Sequence, residues 1–200
     1  MPLNKKKLEL ILQKCEGYAN PKVELEQYVT PSHIAAELLF VAFLKGDIKG
    51  KIVADLGCGT GILGIGAKIM GAKKVLGIDI DKEAIEIAKR NAKKMEVKID
   101  FIVGDIENFN VEVDTVLQNP PFGVKRRGAD LMFLKKSIQI SKVVYSMHKR
   151  ETREFIINFL ENSGAKITDM VTVNFPLPRL YTFHQKDRKF ILVDLYRIET

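Results

Sequence analysis

Asp114-Thr-Val-Leu-Gln-Asn119-Pro120-Pro121-Phe122-Gly123 is a short apolar run that stops at Asn-Pro-Pro-Phe. Asn119 precedes one proline and Pro120 another, which pushes both toward extended geometry and forbids a helix start there. The pattern predicts a strand ending in a stiff loop, with a side-chain amide, free backbone carbonyls and an aromatic ring side by side. Such parts suit a planar group that carries an amine. Asn119 Oδ1 and the Pro120 carbonyl can accept its two N–H bonds, and Phe122 can stack on its face. Taken alone, the same residues are a proline-rich turn with a core phenylalanine.

Three more clusters could do chemistry. They are Asp55-Leu-Gly57-Cys-Gly59-Thr60-Gly61, then Asp79-Ile-Asp81, then Gly104-Asp105. Glycines after a strand let a ligand approach the backbone closely. Asp79 can accept two ribose hydroxyls and Asp105 the amino N–H of an adenine, so an adenosine is held without any demand for a pyrophosphate. A rival is the dinucleotide fingerprint, since Gly59-Thr-Gly61-Ile-Leu-Gly64 is followed by Asp79 about 20 residues on. That NAD-dependent reading requires the first strand to run through Asp55, placing an acid inside a buried parallel strand.

The elements that must position these clusters alternate. Leu8, Ile11, Leu12 and Cys15 lie at helical spacing, predicting a helix over Leu3–Cys15. Thr30 reads as an N-cap with Pro31 at the first helical position, opening a helix that runs to Leu44. Strands are expected at 50–57, 74–79, 97–103, 113–118 and 142–147, and helices at 62–70, 82–94, 131–140 and 149–163. The end differs: 166–175 and 189–199 are two strands with no helix between them. The order predicts an α/β fold, a doubly wound, mainly parallel sheet with a C-terminal antiparallel hairpin. In such sheets ligands sit beyond the carboxyl ends of the strands, where all four clusters fall. The expected organisation is one domain over 1–200, with 1–49 as an N-terminal helical extension.

Composition bounds the rest. The 200 residues are 46% hydrophobic and 28% charged, as in a water-soluble domain with a real core. No run of about 18 apolar residues and no signal-peptide pattern appears, which argues against a membrane and for the cytoplasm. Cys15 and Cys58 form no C-x-x-C and no cluster with His33, His148 or His184, so neither a disulfide framework nor a metal site is expected. The 32 Lys and Arg against 25 Asp and Glu give +7, which favours an anionic partner. Lys125-Arg126-Arg127, directly after the Asn-Pro-Pro-Phe loop, could grip nucleic-acid phosphates.

The four strand ends together resemble the S-adenosylmethionine-dependent amino-methyltransferases of class I, Rossmann-like type. In that family the D-x-G-x-G-x-G strand end, here Asp55, Gly57 and Gly59, cradles the cofactor, and N-P-P-F holds the amine. A narrower resemblance covers nearly the whole chain. Leu25-Glu-Gln27-Tyr28-x-Thr30, Ala54-Asp-Leu-Gly-Cys-Gly59, Gly77-Ile-Asp-Ile-Asp81, Asn119-Pro-Pro-Phe-Gly123 with Gly128-x-Asp130-x-x-Phe133-Leu134, Val144-Tyr-Ser-x-His148-Lys149 and Tyr181-x-Phe-His184-x-Lys186 are similar to the methyltransferase-like protein 5 group.

Enzymes of that group make N6-methyladenosine in small-subunit ribosomal RNA. The resemblance implies that Gln27, Thr30, Gly57, Thr60, Ile62, Asp79 and Asp105 touch the cofactor, as Asn119 does at the boundary. Asn119, Pro120, Pro121 and Phe122 would hold the target base. It also implies activation by a small zinc-binding protein, for which the apolar third strand, with Ile99, Phe101, Ile102 and Val103, would be an open sheet edge. The tetrapeptide itself is equally compatible with a glutamine side-chain amide or with the amine of guanine or cytosine. From other classes, an NAD-dependent oxidoreductase and a silent RNA-binding subunit remain as alternatives.

Overall fold

Local signals start and stop most elements where the residue pattern expects them. The computed structural model describes residues 4–123, 125, 128–177 and 189–200. Asn4 caps helix α1 (Lys5–Leu12), its side chain accepting from Lys7 N at 2.8 Å. This helix is shorter than the expected Leu3–Cys15.

Helix α2 (Ser32–Leu44) has Pro31 at its N-cap position, where Thr30 was expected. The reason is that Thr30 Oγ1 is engaged elsewhere, accepting from Asn119 Nδ2 at 3.0 Å. Then follow β1 (Ile52–Leu56), α3 (Ile62–Ile69), β2 (Lys74–Asp79), α4 (Lys82–Lys94), β3 (Asp100–Val103) and β4 (Val113–Gln118). α5 (Ala129–Ile140) leads to β5 (Ser141–Lys149), α6 (Arg153–Asn162), β6 (Lys166–Leu177) and β7 (Lys189–Glu199).

Two boundaries move because of pairing. β5 runs to Lys149, which pairs with Val193 of β7, so the helix expected from residue 149 begins at Arg153 after a short helical turn. β3 begins at Asp100, its first partner on β2 being Leu76.

The sheet order is β3-β2-β1-β4-β5-β7-β6. β3, β2, β1, β4 and β5 are parallel, while β7 runs antiparallel between β5 and β6. Residues alternate between two cores, as the pleat requires. Val53, Val75, Leu117, Tyr145, Met147, Val193 and Leu195 face α1, α2 and α3. Ala54, Leu56, Leu76, Ile78, Val116, Val144 and Tyr196 face α5 and α6. Leu8 and Leu12 of α1 are 0% and 1% exposed within the first core, so the N-terminal helices are one of its walls. The C-terminal strands are tied to this wall by Arg197, which donates from Nε to Asp47 Oδ2 at 2.8 Å, and Tyr145 donates to the same carboxylate.

The acid that the fingerprint argument keeps out of the first strand is inside it. Asp55 is a β1 residue, 1% exposed, and pairs in register with Gly77 and Leu117. Its Oδ2 accepts from Gly64 N, in the first turn of α3, at 2.7 Å. A helix start therefore satisfies the buried carboxyl, and the expected penalty does not separate the two ligand readings. Burial pushes the Asp55 carboxyl up to about 7 in spite of that bond, with Asp79 adding to the rise.

Because its folded pKa is raised above the unfolded value, the group's contribution to stability is complete below about pH 4 and is lost as pH rises through 7. Asp55→Asn is neutral throughout and keeps an acceptor for Gly64. Denaturant titrations from pH 4 to pH 8 should show wild type losing stability relative to this variant by on the order of a few kcal/mol. A difference that does not change with pH would disprove the buried protonation.

Candidate active site

Register brings the four clusters together. Leu56 of β1 lies beside Gln118 of β4 and Ile78 of β2. One residue further along each strand, Gly57, Asn119 and Asp79 emerge side by side. Asp79 itself pairs with Val103, so Gly104 and Asp105 follow at the next strand end. The chain reverses its direction of winding between β1 and β4, the place where such sheets bind ligands.

A cleft there is lined by Gln27, Thr30, Asp55, Gly57, Gly59, Thr60, Ile62, Asp79, Asp105 and Asn119 through Phe122. Every expected cofactor and base contact thus borders one space. Of the expected phosphate grip, Lys125 is exposed beside the loop, and Arg126 and Arg127 lie outside the described residues, as does the 181–186 part of the narrower resemblance.

The glycines are needed as glycines. Gly57 has φ +64, and a Cβ there would lie 2.7 Å from Phe133 Cε1. Gly59 has φ +53, and a Cβ would overlap the Tyr18 hydroxyl. Asp79 braces this turn, accepting from Gly59 N at 2.8 Å on Oδ2 and from Asp81 N at 2.9 Å on Oδ1. A carboxylate has about four lone-pair sites, so capacity remains for a hydroxyl donor from a ligand. Burial pushes the Asp79 carboxyl above its ordinary value even with these bonds. Asp105 holds its helical turn by accepting from Glu107 N on Oδ1, which leaves Oδ2 for an amine.

Gln27 borders the cleft, but its amide is spent within the protein. Nε2 donates to Asp81 Oδ2 at 2.6 Å, and Oε1 accepts from Lys22 N at 2.8 Å. Its place in the site is thus to fix the wall next to Asp79.

Asn119 is oriented by the bond that removes Thr30 from its capping role. With Nδ2 donating to Thr30, the amide carbonyl points the other way, and Oδ1 is buried with no partner among the described residues. An unpaired buried acceptor costs about 1–3 kcal/mol, and an incoming N–H donor removes that cost. Pro120 and Pro121 follow in the lining.

Phe122 differs from expectation. It is 8% exposed, stacks on Tyr28 at 6.4 Å and 22°, and meets Phe175 edge-on at 5.8 Å. Lys149 Nζ lies 5.8 Å from its ring centre. Packed on three sides, Phe122 here braces the loop and offers little open face to a base. Tyr18 and Glu26 are among the lining residues to which the residue pattern assigns no role. Glu26 stands within the Leu-Glu-Gln-Tyr motif, whereas nothing in the spacing singles out Tyr18.

Comparison with known proteins agrees with this geometry. The family model described as the methyltransferase small domain matches residues 33–142. The rRNA N6-adenosine-methyltransferase METTL5 of Danio rerio is 38% identical over 96% of this chain and 97% of its own length. The Drosophila melanogaster rRNA N6-adenosine-methyltransferase Mettl5 is 36% identical over 98% and 97%. A crystal structure from Pyrococcus horikoshii, assigned as a candidate RNA methyltransferase, superposes with a TM-score of 0.92 at 45% identity over 100% of this chain and 99% of that one. These likenesses set aside the NAD-dependent reading. The strand-end cleft, its glycine cradle and the agreement over the full length have one explanation: the chain belongs to the methyltransferase small domain family.

Proposed function

We propose that the protein methylates the exocyclic N6 amine of an adenosine in ribosomal RNA, using S-adenosylmethionine. The observation that carries this reading is the Oδ1 of Asn119, a cleft-lining residue whose Nδ2 is engaged by Thr30: the oxygen is buried and has no partner among the described residues. The residues present fit the cofactor. Asp79 and Asp105 keep free acceptors for an adenosine, and Gly57 and Gly59, packed close against Phe133 and Tyr18, take the positive-φ turn that presents backbone to the cleft. Bound there, the cofactor supplies a methyl group activated on positive sulfur.

The chain's own residues act on the amine. Its lone pair is delocalised into the adenine ring, which makes it a poor nucleophile. Acceptance of its two N–H bonds by Asn119 Oδ1 and the Pro120 carbonyl localises that lone pair and aims it into the cleft. Fixed donors and acceptors that need no reorganisation can contribute several kcal/mol. The target base must leave its stack first, at a cost of a few kcal/mol. The net charge of +7 and the exposed Lys125 side chain favour a polyanionic substrate.

The test is nucleoside mass spectrometry of small-subunit RNA incubated with the protein and labelled cofactor. N6-methyladenosine is the expected product. Label in guanosine or cytidine, or in a protein glutamine, would replace the adenosine reading with one of the other amines. Asn119→Ala should lower single-turnover methylation at least about a hundredfold while cofactor affinity and thermal midpoint stay near wild type. A folded variant with near-normal turnover would remove Asn119 from the chemistry.

A small zinc-binding protein is the proposed activator, added along β3. β3 ends the sheet, and Ile102 and Val103 on it are 38% and 49% exposed. Leu8 and Leu12 of the N-terminal helix are spent in the core against α2 and α3, which supports an edge left open to a partner. An exposed apolar edge of this kind favours addition of a strand from another chain. With such a partner bound, backbone amides of 100–103 should exchange with solvent at least about tenfold more slowly. Equal exchange with the partner demonstrably bound would place its interface elsewhere.

A further inference from the structure

Glu26 combines three unfavourable features. Its backbone is left-handed, φ 50 and ψ 45, one of two non-glycine residues with positive φ among those described. The residue is 6% exposed, and the structure gives its carboxylate no ion pair among the described residues. Its Oε2 is buried without a partner among the described residues. Left-handed geometry and an unmatched buried carboxylate oxygen are each costly, and such costs concentrate where a site needs them. What the arrangement gains is one short bond: Oε1 accepts from the backbone N of Lys125 at 2.6 Å. Lys125 lies two residues beyond the Gly123 that ends the Asn-Pro-Pro-Phe-Gly loop.

The neighbours of Glu26 grip the same loop. Tyr28 stacks on Phe122, and Thr30 accepts from Asn119, so residues 26, 28 and 30 each hold it at a different point. Gln27, between them, binds Asp81 next to the adenosine-side acid. The segment turns tightly at Glu26 and Gln27, Tyr28 N donating to Glu26 O at 2.9 Å, so that Glu26, Tyr28 and Thr30 meet the Asn-Pro-Pro-Phe loop while Gln27 meets Asp81. Among the described residues Glu26 is the one that holds Lys125, at the far end of the loop, and its side chain leaves a backbone at φ 50.

We infer that Glu26 is a positioning residue for methyl transfer: its Oε1, turned inward by the left-handed backbone, fixes the loop that carries Asn119 by holding Lys125 N–H. This rests on the amine-methylating reading above. A single engaged oxygen suffices for the role, so an amide can replace the carboxylate. The carboxyl of Asp130, a titratable group that Glu26 faces among the described residues, is pushed up by burial and by Glu26, with Lys149 opposing.

Glycine is the residue best suited to φ 50, so Glu26→Gly removes the side chain without straining the backbone. The expected result is a thermal midpoint at or above wild type, unchanged cofactor affinity and at least about tenfold faster exchange of the Lys125 amide. Single-turnover methylation of small-subunit RNA should fall at least about tenfold. Glu26→Gln should restore slow Lys125 exchange and bring turnover to within about threefold of wild type. Faster exchange with normal turnover in Glu26→Gly would overturn the positioning role. So would loss of turnover in Glu26→Gln as large as in Glu26→Gly, which would assign the free oxygen to the substrate. A wild-type protein that transfers no methyl group to RNA would instead refute the functional reading, since the exchange measurement needs no substrate.

Discussion

The active cleft depends on the register of β1 against its two parallel neighbours. Leu56 is level with Ile78 on one side and Gln118 on the other, so the next residue of each strand belongs to the site. A slip of one residue would turn Gly57, Asp79 and Asn119 to different heights and faces, since side chains alternate with a period of two. Both faces of these strands are buried by helices, which penalises any such slip. The hydrophobic cores therefore fix the geometry of the chemistry without containing it.

Around that frame the polar groups divide into those satisfied within the protein and those left for ligands. Asp55, though fully enclosed, is satisfied by the start of α3. Asp79 braces the glycine turn and still has capacity. Asn119 has its donor used and its acceptor unused. Because a hydrogen bond contributes little net when formed but much when denied, the unused acceptors select ligands with matching donors more sharply than they add to folding. Residues 22–30 link the two halves: Lys22 and Gln27 hold Asp81 beside Asp79, while Glu26, Tyr28 and Thr30 hold the Asn-Pro-Pro-Phe loop and its continuation. The Asp79 side and the Asn119 side of the cleft thus share one short piece of chain.

By itself the amino-acid sequence determined the element order, the mixed sheet with its antiparallel end, the four strand-end clusters and the chemistry their residue types allow. Those features rest on local signals: apolar periodicity, Gly and Pro punctuation, and acids or amides directly after strands. Tertiary structure decided what each polar group touches. Thr30 carries a good N-cap side chain, yet a partner 89 residues away takes it, and no local pattern contains that partner. Asp55 could enter a buried strand because Gly64, nine residues on, turns its N–H back toward it. Phe122 is a ring beside an amide in sequence, but Tyr28 and Phe175 decide that it is packed. The left-handed turn at Glu26 likewise has no signature in Leu-Glu-Gln-Tyr, because the bond that holds it closes a loop of 99 residues. Propensity acts between near neighbours, whereas a site is made by contacts whose sequence separation only the folded chain removes.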